Sequence, residues 1–299
     1  MGTVAPLAPL RREFSIDRRS ELSYDEFVSE YLMPQKPVII SDGFKEWPAL
    51  RKWTPDFFKS NFGDKKVKVG TGEVLRLADY IDLVLASTPE KPCPYLSGLM
   101  IRQEFLEIAP DILPELKYTL PDRFRSPLMA GRIRSKDGIP ELLISGVGGR
   151  FGLHYDAYHA LGFVNQVYGD KEFIVFPPSE GKYLYPLADV RHSEVNNPFA
   201  VDLEKFPLFS QAMQCRVVVR PGDTIFNPAG WWHATRMLTP SIAVVISTVN
   251  GSNWNQFRDD LGRDRPDVPR IVTGALRAYL AVLGVVLTAK ERMFFHVIE

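Results

Sequence analysis

ELLISGVGGRFGLHYDAYHALGFVNQVYGDKEFIVF, residues 141–176, decides the fold. Three short runs, Glu141-Leu-Leu-Ile-Ser145, Phe163 to Val167 and Glu172 to Phe176, are β-branched or aromatic and are set apart by glycine and aspartate turn signals. Arg216 to Val219, Asp223 to Phe226 and Ser241 to Val249 continue the series. Closely spaced short strands with no long helix between them predict a mainly β sandwich or barrel over residues 141–250.

The same stretch holds Leu153-His154-Tyr155-Asp156. A strand's period of two puts His154 and Asp156 on one face and Tyr155 on the other, so an imidazole and a carboxylate can share a cation. A bare H-x-D arises often by chance, and a hydrogen-bonded pair is its ordinary meaning. Only five histidines are present, at 154, 159, 192, 233 and 296. His233 ends Arg220-Pro-Gly-Asp-Thr-Ile-Phe-Asn-Pro-Ala-Gly-Trp-Trp-His233, where a turn feeds a strand and a second turn presents two tryptophans and the histidine. A late strand of this kind can lie beside an early one. Two histidines and one carboxylate would form a facial triad, leaving three positions of Fe(II) open for a bidentate cosubstrate and O₂. His159 has the opposite strand parity, which favours a wall or structural role, and His192 and His296 are assigned none.

Working outward, residues 1–20 read as a flexible, Pro-rich lead, and residues 21–140 as a mixed α/β part. Ser23-Tyr-Asp-Glu starts a helix and Lys36-Pro-Val-Ile-Ile-Ser is a strand. Thr54 and Pro55 supply an N-cap and first turn, ended by Asn61-Phe-Gly-Asp. Lys66 to Val69 is a further strand, and Glu73 to Ala86 has the apolar spacing of a third helix. Residues 251–299 form a helical extension. Its run from Ile271 to Leu287 carries more apolar surface than one stripe needs, which leaves intrachain burial, membrane insertion and self-pairing open. Arg277 and the length argue against a span.

Thirty-six basic and 36 acidic residues cancel, so no global field recruits nucleic acid or an anionic membrane. Cys93 and Cys215 are too few for a disulfide framework or a cysteine zinc site. The amino terminus lacks a signal-peptide run, and the expectation is a soluble cytoplasmic protein.

The linked pieces His154-Tyr-Asp156, Gln166-Val-Tyr-Gly-Asp-Lys171, Phe176-Pro-Pro, Pro221-Gly-Asp and Gly230-Trp-Trp-His233 resemble the JmjC, or cupin-like, hydroxylase family in order and spacing. Lys36-Pro-Val-Ile-Ile, Trp47-Pro-Ala-Leu and Trp53-Thr are similar to the lead-in of its asparaginyl-hydroxylase-like branch. The resemblance implies a double-stranded β-helix, a jelly roll with an α/β lead-in and C-terminal helices. It also implies Fe(II) held by His154, Asp156 and His233, with 2-oxoglutarate as cosubstrate and O₂ as oxidant. Lys171 falls where the family carries the lysine for the distal carboxylate of 2-oxoglutarate.

Three departures stand out. Phe151 occupies a place where the family often has Thr or Ser, no Asn follows Asp156 before Asn165 where the family often has one, and the interval from Asp156 to Lys171 is about two residues longer than the pattern, as a bulge or an altered turn would make it. The other cosubstrate contacts therefore fall to Tyr158 or Ser247, with Ser145 and Thr248 as further options. Trp231 and Trp232 are expected to pack the barrel mouth, and the loop from Leu184 to Phe209 to shape the substrate entrance, while Arg132 and Arg134 read by default as solvated loop charges, with a place facing that entrance as the alternative. The expected substrate is a protein or peptide side chain; a small metabolite or modified nucleoside is the alternative, and a binding protein without catalysis a third. Some similar proteins dimerise through C-terminal helices, which makes a homodimer through Leu276, Leu280 and Leu283 the expected assembly.

Overall fold

The computed structural model describes residues 12–131, 134, 140–189, 191–263 and 269–295. Most of the expected lead, Arg132 and His296 lie outside the described residues.

The amino-terminal half contributes β1 (Asp17–Arg19), β2 (Val38–Ile40), β3 (Lys66–Lys68), β4 (Val74–Arg76) and β5 (Leu96–Met100). The remainder follows as β6 (Pro140–Ser145), β7 (Arg150–His154), β8 (Leu161–Tyr168), β9 (Lys171–Phe176), β10 (Cys215–Val219), β11 (Thr224–Asn227), β12 (Trp232–Met237) and β13 (Ser241–Thr248). They build a seven-stranded sheet in the order β1-β2-β11-β8-β13-β6-β5 and a four-stranded sheet in the order β10-β9-β12-β7. Every pairing among β6 to β13 is antiparallel, as in a jelly roll. Among the described residues no strand ladder joins the two sheets, so the expected barrel is an open pair of facing layers.

The larger sheet is buried on both sides, so β8 is covered from Leu161 to Val167, and its two polar residues, Asn165 and Gln166, are hydrogen-bonded inside. One face carries Ile39, Val164, Ile225 and Ala243 against Phe173, Val175 and Val219 of the smaller sheet. The other carries Phe163, Val167, Phe226, Ile242 and Val244 against the amino-terminal core of Phe27, Trp47, Tyr80 and Tyr118. β1, β2 and β5 thus extend the sheet from the amino-terminal side.

Local signals account for the helices there. Ser23 accepts from the Glu26 amide while the Glu26 carboxylate caps Ser23, a reciprocal capping box. Thr54 caps helix Pro55–Phe62 through the Phe57 amide. The helix expected from Glu73 begins only at Leu77. Val74–Arg76 is strand β4, because Gly72 at φ 89° turns the chain so that Val67 pairs with Leu75.

At the carboxy end, helix Trp254–Arg263 packs against helix Arg270–Phe295. Leu280, Leu283 and Leu287 are buried with Trp254, Phe257 and Phe124, so the leucines expected to join two subunits belong to the intrachain core. Val282 and Val285, 68% and 73% exposed, lie on the opposite face. By length and composition alone, Ile271–Met293 would suffice to cross a membrane.

One buried ion pair pins that helix. Arg123, 2% exposed, donates from Nε and Nη2 to the two Glu291 carboxylate oxygens at 2.6 Å each, and its guanidinium sits 4.7 Å from the Trp254 ring. Removing one partner strands a buried charge, so Glu291→Ala is expected to destabilise the protein by about 3–5 kcal/mol. Urea unfolding measures it; a loss below about 1 kcal/mol would show that the pair is exposed to solvent.

Candidate metal centre and adjoining cavity

β7 and β12 are neighbours in the smaller sheet, and His154 stands directly opposite His233 in their register. Asp156 lies just beyond the end of β7 in extended backbone, φ −62° and ψ 140°, which preserves the parity with His154. The two imidazole Nε2 atoms lie 3.8 and 3.9 Å from Asp156 Oδ1, and the three ligand atoms fall within 4.8 Å of one another.

Both ring orientations are fixed from behind. His154 Nδ1 meets Gly152 O at 2.8 Å and His233 Nδ1 meets Trp231 O at 3.1 Å. With Nδ1–H donating to a carbonyl, each Nε2 carries its lone pair toward Asp156. Burial pushes the imidazolium of His154 down to about 3, helped by His233, and that of His233 to about 4. The rings are therefore neutral at pH 7, as metal ligation requires. Burial raises the Asp156 carboxyl, against the pull of His154 and Arg191. A β-carbon at Gly162 would sit 2.4 Å from Asp156 Oδ2, so only glycine leaves room for the carboxylate. Two neutral imidazoles and one carboxylate on one side of a point suit Fe(II) with open coordination positions.

A cavity of about 140 Å³ opens from this point between the two sheets. Its polar lining is Tyr95, Ser97, Glu141, Lys171, Thr235 and Ser247, and its apolar lining includes Leu143, Phe151, Val164, Phe173 and Val245. Lys171 is 1% exposed and makes no ion pair among the described residues; burial alone pushes its ammonium down to about 7. Thr235 Oγ1 is buried facing the same cavity, where it interacts with the Tyr95 phenol. An uncompensated cation facing a cavity is costly to fold, and a bound anion would satisfy it.

The positions read from the sequence separate here. His154, Asp156, His233, Lys171 and Ser247 line the cavity. Tyr158 does not: its backbone is left-handed, φ 57°, and its ring packs against Phe257 in the carboxy-terminal cluster. Ser145 is next to Cys93, and Thr248 lines a different hollow beside Asp122. Phe151 fills its place with a ring 4.7 Å from His154. Trp232 is buried against Tyr155, whereas Trp231 donates to Gln35 O at 2.8 Å. The long loop runs beside the centre: Ser193 N bonds Leu153 O, Tyr155 N bonds Arg191 O, and the His192 ring stacks 6.1 Å from His154. Tyr95 and Thr235 were missed. Thr235 stands two residues after His233 on β12, a same-face signal the sequence did contain.

The chain belongs to the cupin-like domain family, which it matches over residues 24–247, and the motif resemblance is borne out. Among its relatives is lysine-specific demethylase 8 of Danio rerio, 32% identical over 240 residues, covering 74% of this chain and 55% of that protein. Human tRNA wybutosine-synthesizing protein 5 is 29% identical over 239 residues, covering 73% and 72%. The human bifunctional peptidase and (3S)-lysyl hydroxylase JMJD7 is 26% identical over 259 residues, covering 73% and 78%. The chain spans about half the length, or less, of the first demethylases it matches.

Lys171 supplies a pH-dependent test. The folded protein releases its proton near pH 7, whereas an unconstrained lysine holds it to about 10.5. Between these values the unfolded chain binds more protons, so the lysine's penalty is full below pH 7 and fades as pH rises. Lys171→Met is expected to stabilise the ligand-free protein by roughly 1–4 kcal/mol at pH 6.5, a gain that declines toward pH 10. Urea unfolding at both pH values checks it; a destabilised variant would mean that the amine has a partner.

Proposed function

We propose that the chain is an Fe(II)- and 2-oxoglutarate-dependent dioxygenase that hydroxylates a protein or peptide side chain. The observation that carries this reading is the convergence of three metal-ligand atoms on a cavity whose far side holds an uncompensated buried lysine. The order β11-β8-β13-β6 facing β10-β9-β12-β7 is taken as a double-stranded β-helix.

In this reading His154, Asp156 and His233 hold the iron. Lys171 pairs with the distal carboxylate of 2-oxoglutarate, and Thr235, Tyr95 and Ser247 offer hydrogen bonds along its length. Fe(II) with 2-oxoglutarate and O₂ supplies the oxidation: one oxygen atom enters the substrate C–H bond and the other succinate, with loss of CO₂. Val164, Phe173 and Val245 keep water from the cosubstrate, and the neutral imidazoles need no proton to leave before binding metal. A protein substrate follows the names of lysine-specific demethylase 8 and the lysyl hydroxylase. A modified nucleoside is the second reading, favoured by likeness to the wybutosine-synthesizing protein over 72% of its length. The balanced net charge weighs against a polynucleotide. A cytoplasmic location stays part of the proposal.

His154→Ala, Asp156→Ala and His233→Ala are each expected to abolish Fe(II)-dependent release of CO₂ from 2-oxoglutarate while far-UV circular dichroism stays unchanged. Lys171→Ala should raise the 2-oxoglutarate requirement about ten- to a hundredfold, the worth of a charge-assisted bond. Near-full turnover in all three ligand variants would refute the site. Peptide and nucleoside pools added to the same assay separate the two substrate readings by which of them stimulates turnover.

We further propose a homodimer through helix Arg270–Phe295, now assigned to its exposed side, Val282 and Val285, rather than its leucines. Light scattering is expected to give twice the 33.9 kDa chain mass, falling to one chain in Val282→Asp/Val285→Asp while far-UV circular dichroism stays unchanged. A monomeric wild-type protein would contradict it.

A further inference from the structure

Asp156 has the weakest support on its own strand of the three metal-ligand positions. β7 ends at His154, and past it the chain turns through Tyr158 and His159, both left-handed, at φ 57° and 48°. Neither is glycine, and two such residues in succession persist only where neighbours impose them. The His159 amide donates back to Asp156 O at 3.2 Å, so turn and ligand move as one unit.

The neighbours come from a part of the chain about a hundred residues later. Asn253, fully buried at the start of helix Trp254–Arg263, donates from Nδ2 to His159 O at 2.7 Å, and its Oδ1 accepts from the Asn250 amide at 2.9 Å. Phe257 meets the Tyr158 ring edge-on at 6.2 Å. Asp260, 4% exposed, hydrogen-bonds His159 Nδ1 through its carboxylate. Positions 253, 257 and 260 follow the spacing i, i+4, i+7, so one helical face is given over to this turn. From the other side the Tyr155 ring lies 4.8 Å from His159, and a β-carbon at Gly230 would stand 3.2 Å from His159 Cδ2. The imidazole is boxed in a single orientation.

We propose that Asp260 and Asn253 are positioning residues for the metal centre: through His159 they hold the strained turn that sets the Asp156 carboxylate against His154 and His233. The inference rests on the metal-site reading above. It makes the carboxy-terminal helices part of the site's support, and it gives His159 a structural task in place of ligation.

Co(II) titrated into the metal-free full-length protein reports both affinity and, through its visible absorption, ligand geometry. Asp260→Ala is expected to weaken Co(II) binding about tenfold and to alter the absorption. Asp260→Asn, which retains an acceptor for His159 Nδ1–H, should recover most of both. Leu283→Ala loosens the same helices away from the turn; it should lower the melting temperature while leaving Co(II) affinity and spectrum unchanged. Should Asp260→Ala not fold, Asn253→Asp decides, since it removes the donor to His159 O and should cost similar affinity. Wild-type affinity and absorption in Asp260→Ala or Asn253→Asp would overturn the proposal, as would an equal loss of affinity in Leu283→Ala. A wild-type protein that binds no Co(II) would overturn the metal site itself and this inference with it.

Discussion

β12 runs through the middle of the smaller sheet, and its register is the constraint on which the site depends. On one side it aligns His233 with His154 of β7, and on the other it aligns Met237 with Lys171 of β9. The same strand places Thr235 between these ends, after a bulge in the pairing with β7. A slip of one residue would turn His233 and Thr235 away from the cavity together. Burial of Trp232 and Ala234 on the alternate positions makes such a slip expensive.

The site so formed is poorly optimised for stability. It buries a lysine that has no counter-charge among the described residues and two imidazoles that cannot protonate readily. Each is tolerable because the surrounding layers are well packed, with aromatic residues from the amino-terminal part filling the outer face of the larger sheet. Groups that weaken the empty protein and suit an anion and a cation are the signature of a binding site rather than of a core.

Much of this was legible beforehand, for definable reasons. Short β-branched runs with intervening turns announced β6, β8, β9, β10, β11 and β13, and strand parity brought His154 and Asp156 to one face even though Asp156 lies outside the strand. Local periodicity failed where tertiary pairing overrode it, at Val74–Arg76, whose apolar spacing continues smoothly into the helix beginning at Leu77. Tyr95 left no signal, because it reaches the cavity from a connection before β5 and only the assembled sheet brings it near Thr235. Tyr158 is near the ligands in sequence but not in space, because two positive φ values at Tyr158 and His159 redirect the chain. The spare apolar surface of the last helix was seen, but which side of it faces the domain was not.

The most direct measurement is a crystal structure of the Mn(II)-loaded protein with 2-oxoglutarate, with the metal located by anomalous scattering. The account predicts one dominant peak within bonding distance of His154 Nε2, an Asp156 carboxylate oxygen and His233 Nε2, and a 2-oxoglutarate carboxylate on Lys171 Nζ. A peak elsewhere, or a bound 2-oxoglutarate that leaves Lys171 without a partner, would contradict it.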